Sequence, residues 1–457
     1  MMSEKIRRKG ILALSGPLII SFWLRSAFGW IDPIFAASLK DSLGNSIGDA
    51  SLAAIGLTLP FEFLMISCWV GTSNGLTSRL AAAMGAQDHE QVRQLKAAAR
   101  RIIWVLNAIF LFLALGVASF SESLGLDSIV ASQFRIYATI IVAGSSFTSF
   151  WSILPDSIVK AHHDTRTTMW AGILSSTLNV FLNAIFTFGL GWGIWGIAFS
   201  TVLGRLAGLL YATGRAAAHE RDRKKQDACE PSPHNPFPAP VRAILSIALP
   251  SGATYVLMAL ESQIVNFLLA RLPNATSQLA AWSIFDRSVR FMAMPLIAAS
   301  VAMLPLVARR HGEGDIRGIR KEVRLSLLAG LAYAIVFVTP VAFLFGTWVA
   351  GKLSGSQATE IAAQRAMEIL PLAVFAMVPV LLLRAVFDGL QKPKPGLIVA
   401  LLRTFLFVSP LVWIGIFWAE KNSSHPTVGA AWGFCLGVSM ASAVLGLWLR
   451  RQLKETA

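Results

Sequence analysis

The sequence predicts an all-α membrane protein of twelve transmembrane helices in two six-helix lobes. Three observations lead there: about twelve apolar runs of spanning length, basic residues gathered on alternate loops, and a set of landmarks that recurs once. With 55% hydrophobic and 14% charged residues among 457, the chain holds more apolar surface than a soluble globule buries. Its mean hydropathy of +0.60 agrees. The runs lie near 11–39, 52–78, 102–121, 134–159, 168–190, 192–213, 243–271, 277–308, 325–350, 364–390, 396–419 and 427–449. Each suffices for a hydrocarbon core of roughly 30 Å, which takes about 20 helical residues.

A net charge of +15 would suit a nucleic-acid binder, but the placement of the basic residues excludes that reading. With the N-terminus inside, the even-numbered loops and both tails hold 28 of the 40 Lys and Arg residues, and the odd-numbered loops hold six. This positive-inside bias puts both termini in the cytoplasm and suggests the inner (plasma) membrane. The remaining six, Arg25, Arg205, Arg287, Arg290, Arg384 and Arg403, fall inside predicted spans.

Span one carries Arg25 and Asp32 within an otherwise apolar run. An ionisable side chain near the bilayer centre costs at least ~2.5 to 3.5 kcal/mol on insertion scales, so it faces a protein interior or a wet cavity. Pro33 cannot donate to the carbonyl of Gly29, which leaves a backbone oxygen free about one turn before the carboxylate. Span five offers Asn179 and Asn183 on one helical face. Amides of this kind either join helices or bind a ligand. Asp286 and Arg290 form an i, i+4 pair in span eight, as Arg384 and Asp388 do in span ten, and each pair can neutralise itself. Arg25 and Asp32 are two turns apart on one face, a long reach for direct pairing. Glu62, Arg205, Arg287 and Arg403 have no partner nameable from sequence.

Leu52-Ala-Ala54 is followed 33 residues later by Gly85-Ala-Gln-Asp88 and then Arg93; Leu279-Ala-Ala281 is followed 33 residues later by Gly312-Glu-Gly-Asp315 and then Arg320. The two sets stand 227 residues apart, and Ala13-Leu14 with Pro17 parallels Ala248-Leu249-Pro250. One six-helix unit is therefore used twice: an N-lobe over 1–213 and a C-lobe over 243–457. The charged, then Pro-rich segment 214–242 reads as a cytoplasmic linker. Such halves run parallel, related by a pseudo-two-fold axis along the membrane normal, with a substrate site between them. Cys68, Cys229 and Cys435 lack metal-ligand spacing, no Gly-x-x-x-x-Gly-Lys-Ser/Thr loop is present, and no nucleophile cluster is visible. An enzyme and an ATP-driven pump are both disfavoured.

Pro17, Trp30-Ile-Asp-Pro-Ile-Phe-Ala-Ala37, Leu52-Ala-Ala-Ile-Gly56, Gly71-Thr-Ser-Asn-Gly75 and the Gly85-Ala-Gln-Asp88 loop resemble the first lobe of a multidrug and toxic compound extrusion (MATE) antiporter. The likeness continues through His163-Asp-Thr-Arg166, Asn179-Val-Phe-Leu-Asn183 and Gly193-Ile-Trp-Gly-Ile-Ala-Phe-Ser-Thr201. It implies that Asp32, Asn179, Asn183 and Thr201 form a cation-responsive cluster. One branch of the family has Asp where this chain has Asn183 and Tyr where it has Phe28, which leaves Asp32 as the titrating group here. Another branch uses a span-seven glutamate as a cation ligand, and Glu261 falls about one turn later than that position.

The implied function is a secondary antiporter that exports organic compounds against inward flow of protons or sodium. Its expected partners are a small-molecule substrate and the bilayer, as a monomer, with no cofactor beyond the coupling ion and sodium, if used, at Asp32. Arg25, Asp286, Arg287 and Arg290 would contact substrate or pair internally. Intramembrane arginines also suit a flippase of lipid-linked oligosaccharides or other anionic amphiphiles in the same superfamily, and a non-transporting receptor or passive channel is the rival from another class. The loop asymmetry predicts that a probe at Asn274 reacts from outside the cell and probes at Gln87 and Gly314 only from inside. Labelling of Gln87 in intact cells would overturn the map.

Overall fold

The computed structural model describes residues 10–29, 31–40, 46–121, 127–227, 238–422 and 424–455, and nearly all of them are helical. The first half holds α1 (Ile11–Phe28), α2 (Ile31–Ala37), α3 (Gly48–Gly85), α4 (His89–Phe120), α5 (Ser128–Ala161), α6 (Thr165–Ala184) and α7 (Ile194–Asp227). The second holds α8 (Pro240–Leu269), α9 (Ala275–Gly312), α10 (Ile316–Tyr333), α11 (Thr339–Leu353), α12 (Gln357–Met367), α13 (Leu370–Gly389), α14 (Lys394–Leu401), α15 (Ser409–Lys421) and α16 (Pro426–Glu455). Twelve helical segments among the described residues are long and apolar enough to cross a membrane. Large apolar side chains such as Phe112, Val336 and Leu344 are exposed, as lipid-facing positions would be. Trp30, residues 41–45, and the stretch 228–237 with Cys229 and most of the linker prolines lie outside the described residues.

Among the described residues, five spans depart from a single α-helix. Span one breaks after Gly29, whose N–H closes the last turn on the Arg25 carbonyl at 3.0 Å, and resumes with Asp32 and Pro33 in the first turn of α2. In place of one run over 364–390, a short helix α12 is capped by Ser356, and α13 starts afresh with Pro371 in its first turn, where proline's missing N–H is harmless. Wider π-helical turns occupy Ile185–Gly189, Ala334–Val338 and Leu402–Val408.

By contacts the chain forms two compact units, Gly16–Gly252 and Ala253–Ala457, the second taking in α1 up to Ser15. In the first, Phe134, Tyr137, Ile141, Ile194 and Ile197 build a core around α5 and α7. There the head of α8 lies on α3: a Cβ at Gly71 would come 2.5 Å from the Ala248 carbonyl, and one at Gly75 2.6 Å from that of Ile244. The Gly71-Thr-Ser-Asn-Gly75 motif is thus a place of close backbone approach, held by Asn74 donating to Ser251 at 2.8 Å. In the second unit Trp282, Phe285, Leu370, Val374, Val412 and Val438 are core residues, and the buried Glu322 accepts from the Ile11 N–H at 3.1 Å.

The internal repeat reappears as one turn made four times. At Gln87, His163, Gly314 and Gln391 the chain is left-handed, with φ of 57, 57, 72 and 61°. In each case the left-handed N–H returns to the carbonyl three residues back and the next N–H to the one five back, the Schellman end of a helix. Asp88, Asp164 and Asp315 then cap the following helices through N–H groups of Gln91, Thr167 and Gly318. Burial alone would raise the Asp164 carboxyl, but hydrogen bonds from His219 and Thr167 outweigh it and hold the group well below the usual carboxylate range.

Left-handed backbone costs a non-glycine residue about 1 kcal/mol, and a Cβ at Gly314 would meet nothing within 4 Å. Gln87→Gly should therefore stabilise the protein by up to ~1 kcal/mol and Gly314→Gln destabilise it by a similar amount. Thermal unfolding in detergent checks this, and a matching sign for the two changes would contradict the shared turn.

Candidate functional site

Asp32 enters the first unit at the break in span one and meets side chains from α6 and α7. Asn183 donates its Nδ2 to Asp32 Oδ1 at 2.6 Å, Thr201 its hydroxyl to Oδ2 at 2.8 Å, and Asn179 its Nδ2 to Oδ1 at 3.4 Å. The four residues named from sequence thus share one hydrogen-bonded cluster. Ser200 is a fifth member that sequence reasoning missed: its hydroxyl reaches Asn183 Oδ1 at 2.6 Å, and Asn179 Nδ2 lies 3.3 Å from it. Asn183 and Ser200 are fully buried, whereas Asp32, Asn179 and Thr201 are partly so.

The sequence brings these groups together through small residues on α7. Ser200, Gly204 and Gly208 recur every fourth residue on one face. A Cβ at Gly204 would sit 2.5 Å from the Ser175 carbonyl, and one at Gly208 2.8 Å from that of Ala171. Closeness of α6 and α7 is what lets the short hydroxyls of Ser200 and Thr201 reach the two amides. The Ser200, Gly204, Gly208 spacing was the available signal for the missed serine.

Each hydroxyl carries one hydrogen but has two acceptors. Thr201 can donate to Asp32 or to the Ile197 carbonyl at 3.1 Å, and Ser200 to Asn183 or to the same carbonyl at 2.8 Å. The hydroxyl that donates to the carboxylate therefore has a second place to send its hydrogen.

The other candidates lie elsewhere. Arg25 packs its stem near Gly172, and the ion pairs among the described residues do not join it to Asp32. Arg205 pairs with Glu62 at 3.3 Å. Asp286 and Arg290 make the expected i, i+4 pair at 2.8 Å, and Arg287 beside them is exposed. Glu261 belongs to the second unit, where Arg403 holds it at 2.6 Å. No group of three or more His, Cys, Asp or Glu residues among those described could hold a metal ion.

The MatE family model matches residues 17–185 and 250–414. The chain belongs to the MATE family. It is a multi-pass integral membrane protein and a membrane transporter of the multidrug-efflux type. Among curated proteins this MATE chain is 21% identical over 426 residues to an FAD transporter of Shewanella oneidensis, with 90% of each chain covered. It is 22% identical to a probable multidrug resistance protein NorM of Pasteurella multocida, over 98% of this chain and 94% of that one. Among solved structures it superposes on an outward-facing MATE family transporter of the MOP superfamily with a TM-score of 0.85 at 20% identity, covering 99% of this chain and 98% of the other.

In this MATE protein the α6 and α7 contact has a direct test. Gly204→Ala forces a methyl group against backbone and should cost about 1–3 kcal/mol as overpacking does. Gly214→Ala, with nothing within 4 Å, should leave the melting temperature unchanged or slightly raised. Equal melting temperatures for the two variants would show that the close approach does not hold the cluster.

Proposed function

We propose that this chain is a secondary antiporter that exports organic compounds, driven by entry of protons or sodium at the Asp32 cluster. The observation that supports it is a carboxylate met by three uncharged donors, from Asn179, Asn183 and Thr201, inside an apolar helix bundle. Such a cradle holds the carboxylate through neutral groups and places no fixed positive charge in contact with it to compete with an incoming cation. When a proton arrives on Asp32, the Thr201 hydroxyl turns its hydrogen to Ile197 and accepts from the new carboxylic acid. When sodium arrives, rotation of the two amides would offer their carbonyl oxygens, the hard ligands such a cation takes.

Binding at this cluster biases the transporter between two shapes, and export follows if cargo and cation prefer different ones. One relative is an FAD transporter and another a probable multidrug resistance protein NorM, and both names favour an organic cargo. The lysine and arginine asymmetry supports cytoplasmic termini in the plasma membrane. One chain supplies every member of the cluster, in keeping with a monomer.

Asp32→Asn tests the reading, because asparagine is nearly isosteric with protonated aspartate yet exchanges no proton. Expression should stay normal, since removing an intramembrane carboxylate relieves a cost of about 2.5 kcal/mol or more. Dye export from everted vesicles under an imposed proton or sodium gradient should be abolished, as a site of fixed charge gives the cation no differential affinity. Asn179→Ala and Asn183→Ala should weaken export less. Uphill export by Asp32→Asn at the wild-type rate would remove Asp32 from coupling.

A further inference from the structure

The second unit contains a small interior cavity, with about 30 Å³ open to the centre of a water-sized sphere, that the Asp32 mechanism does not use. Its polar lining includes Glu261 on α8, Arg384 on α13, and Arg403 where α14 widens into its π-helical turn. Glu261 and Arg403 are only 4% and 6% exposed, so their charges are removed from solvent. Their contact is single, Arg403 Nη2 to Glu261 Oε1 at 2.6 Å. Arg403 Nε and Glu261 Oε2 are both buried with no hydrogen-bond partner.

A guanidinium presents Nε–H and one Nη2–H side by side, a fork shaped for the two oxygens of a carboxylate or phosphate. Here the fork is half filled. An unpaired charged donor and acceptor at this depth cost more than a satisfied pair, so the site is incomplete in this state. Arg384 adds a second guanidinium to the wall, held by a neutral group: it donates to the Tyr255 hydroxyl at 3.2 Å and lies 4.7 Å from the centre of that ring. Asp388, one turn further along α13, is its electrostatic counter-charge, away from the cavity lining. The cavity wall thus carries two cationic side chains to one carboxylate.

We propose that this cavity is an oxyanion-binding site, in which the carboxylate or phosphate group of a ligand takes the fork of Arg403, assisted by Arg384, and Glu261 is the internal acid that holds the fork until it does. The proposal rests on the second unit alone and stands whether or not Asp32 couples transport.

The test is binding of benzoate and of phenyl phosphate to the purified full chain in phosphatidylcholine nanodiscs, by calorimetry, with benzylamine as the counter-probe of opposite charge. The wild type should bind the two acids and not the amine. Glu261→Gln removes the competing acid while keeping the shape, and should tighten benzoate binding by about tenfold, or 1.4 kcal/mol. Glu261→Gln combined with Arg403→Gln leaves no unpaired charge to impair folding, and should abolish binding. Asp32→Asn should bind benzoate as the wild type does, which separates this site from the coupling cluster. Nanodiscs containing phosphatidylglycerol distinguish the source of the oxyanion: competition assigns the site to a lipid phosphate, and unchanged affinity to a soluble acid, both upholding it. Preference for benzylamine, undiminished binding by the double variant, or weaker benzoate binding by Glu261→Gln would overturn the proposal.

Discussion

A carboxylate in a helix that must cross hydrocarbon cannot be left to solvent, and its needs shape the first unit. Every polar group at that depth must be met from within the protein. Asp32 is met by Asn183 and Asn179 from one helix and Thr201 from the next. These donors are short, so α6 and α7 must run close, which Gly204 and Gly208 permit by removing the side chains that would separate them. Span one must also break beside the carboxylate, at Gly29 and Pro33, for α2 to begin with Asp32 in its first turn. Sequence, helix break, helix spacing and hydrogen-bond cluster are thus one arrangement.

The two units answer the problem of buried charge in different ways. In the first unit the carboxylate has neutral donors, of which Thr201 has an alternative acceptor in the Ile197 carbonyl and Asn179 in the hydroxyls of Ser200 and Thr201. In the second, Glu261 has a counter-charge, Arg403, and breaking a buried ion pair by removal of one partner typically costs about 3–5 kcal/mol. The same repeated fold therefore carries a cluster held by neutral groups and a pair in which Arg403 parts from Glu261 at low cost only when another oxyanion takes its place. The repeat itself is kept where backbone geometry demands it, in the left-handed turns at Gln87, His163, Gly314 and Gln391.

Much of this was legible in the sequence because the bilayer punishes exceptions. The spans show as apolar runs, and Asp32 stands out as a charge within one. Asn179 and Asn183 share a face by helical periodicity, and their approach to Asp32 and Thr201 followed from a family resemblance. Ser200 was hidden, since a serine in a membrane helix is ordinary and its meaning depends on which helix packs against it. Glu261 and Arg403 lie 142 residues apart, so no local pattern could pair them. The π-helical turns and the split of α12 from α13 were missed for a related reason: hydropathy measures how apolar a run is and says little about how its backbone hydrogen bonds close.

For the coupling proposed at Asp32, neutral donors suit the energetics better than an ion pair would. A hydrogen bond to a charged group contributes about 1.5–3 kcal/mol, and Asp32 accepts three, one of them long at 3.4 Å. Neutralising the carboxylate weakens all of them together. Inverting a two-state population from 1:99 to 99:1 needs about 5.5 kcal/mol of differential binding, a size that such a cluster can supply. A lysine or arginine in the same place would hold the carboxylate ionised in both shapes, and a cation would then gain nothing by choosing one. Arg25, two turns away on the same span, is not joined to Asp32 by any ion pair among the described residues, so the proposed coupling would meet no fixed counter-charge there.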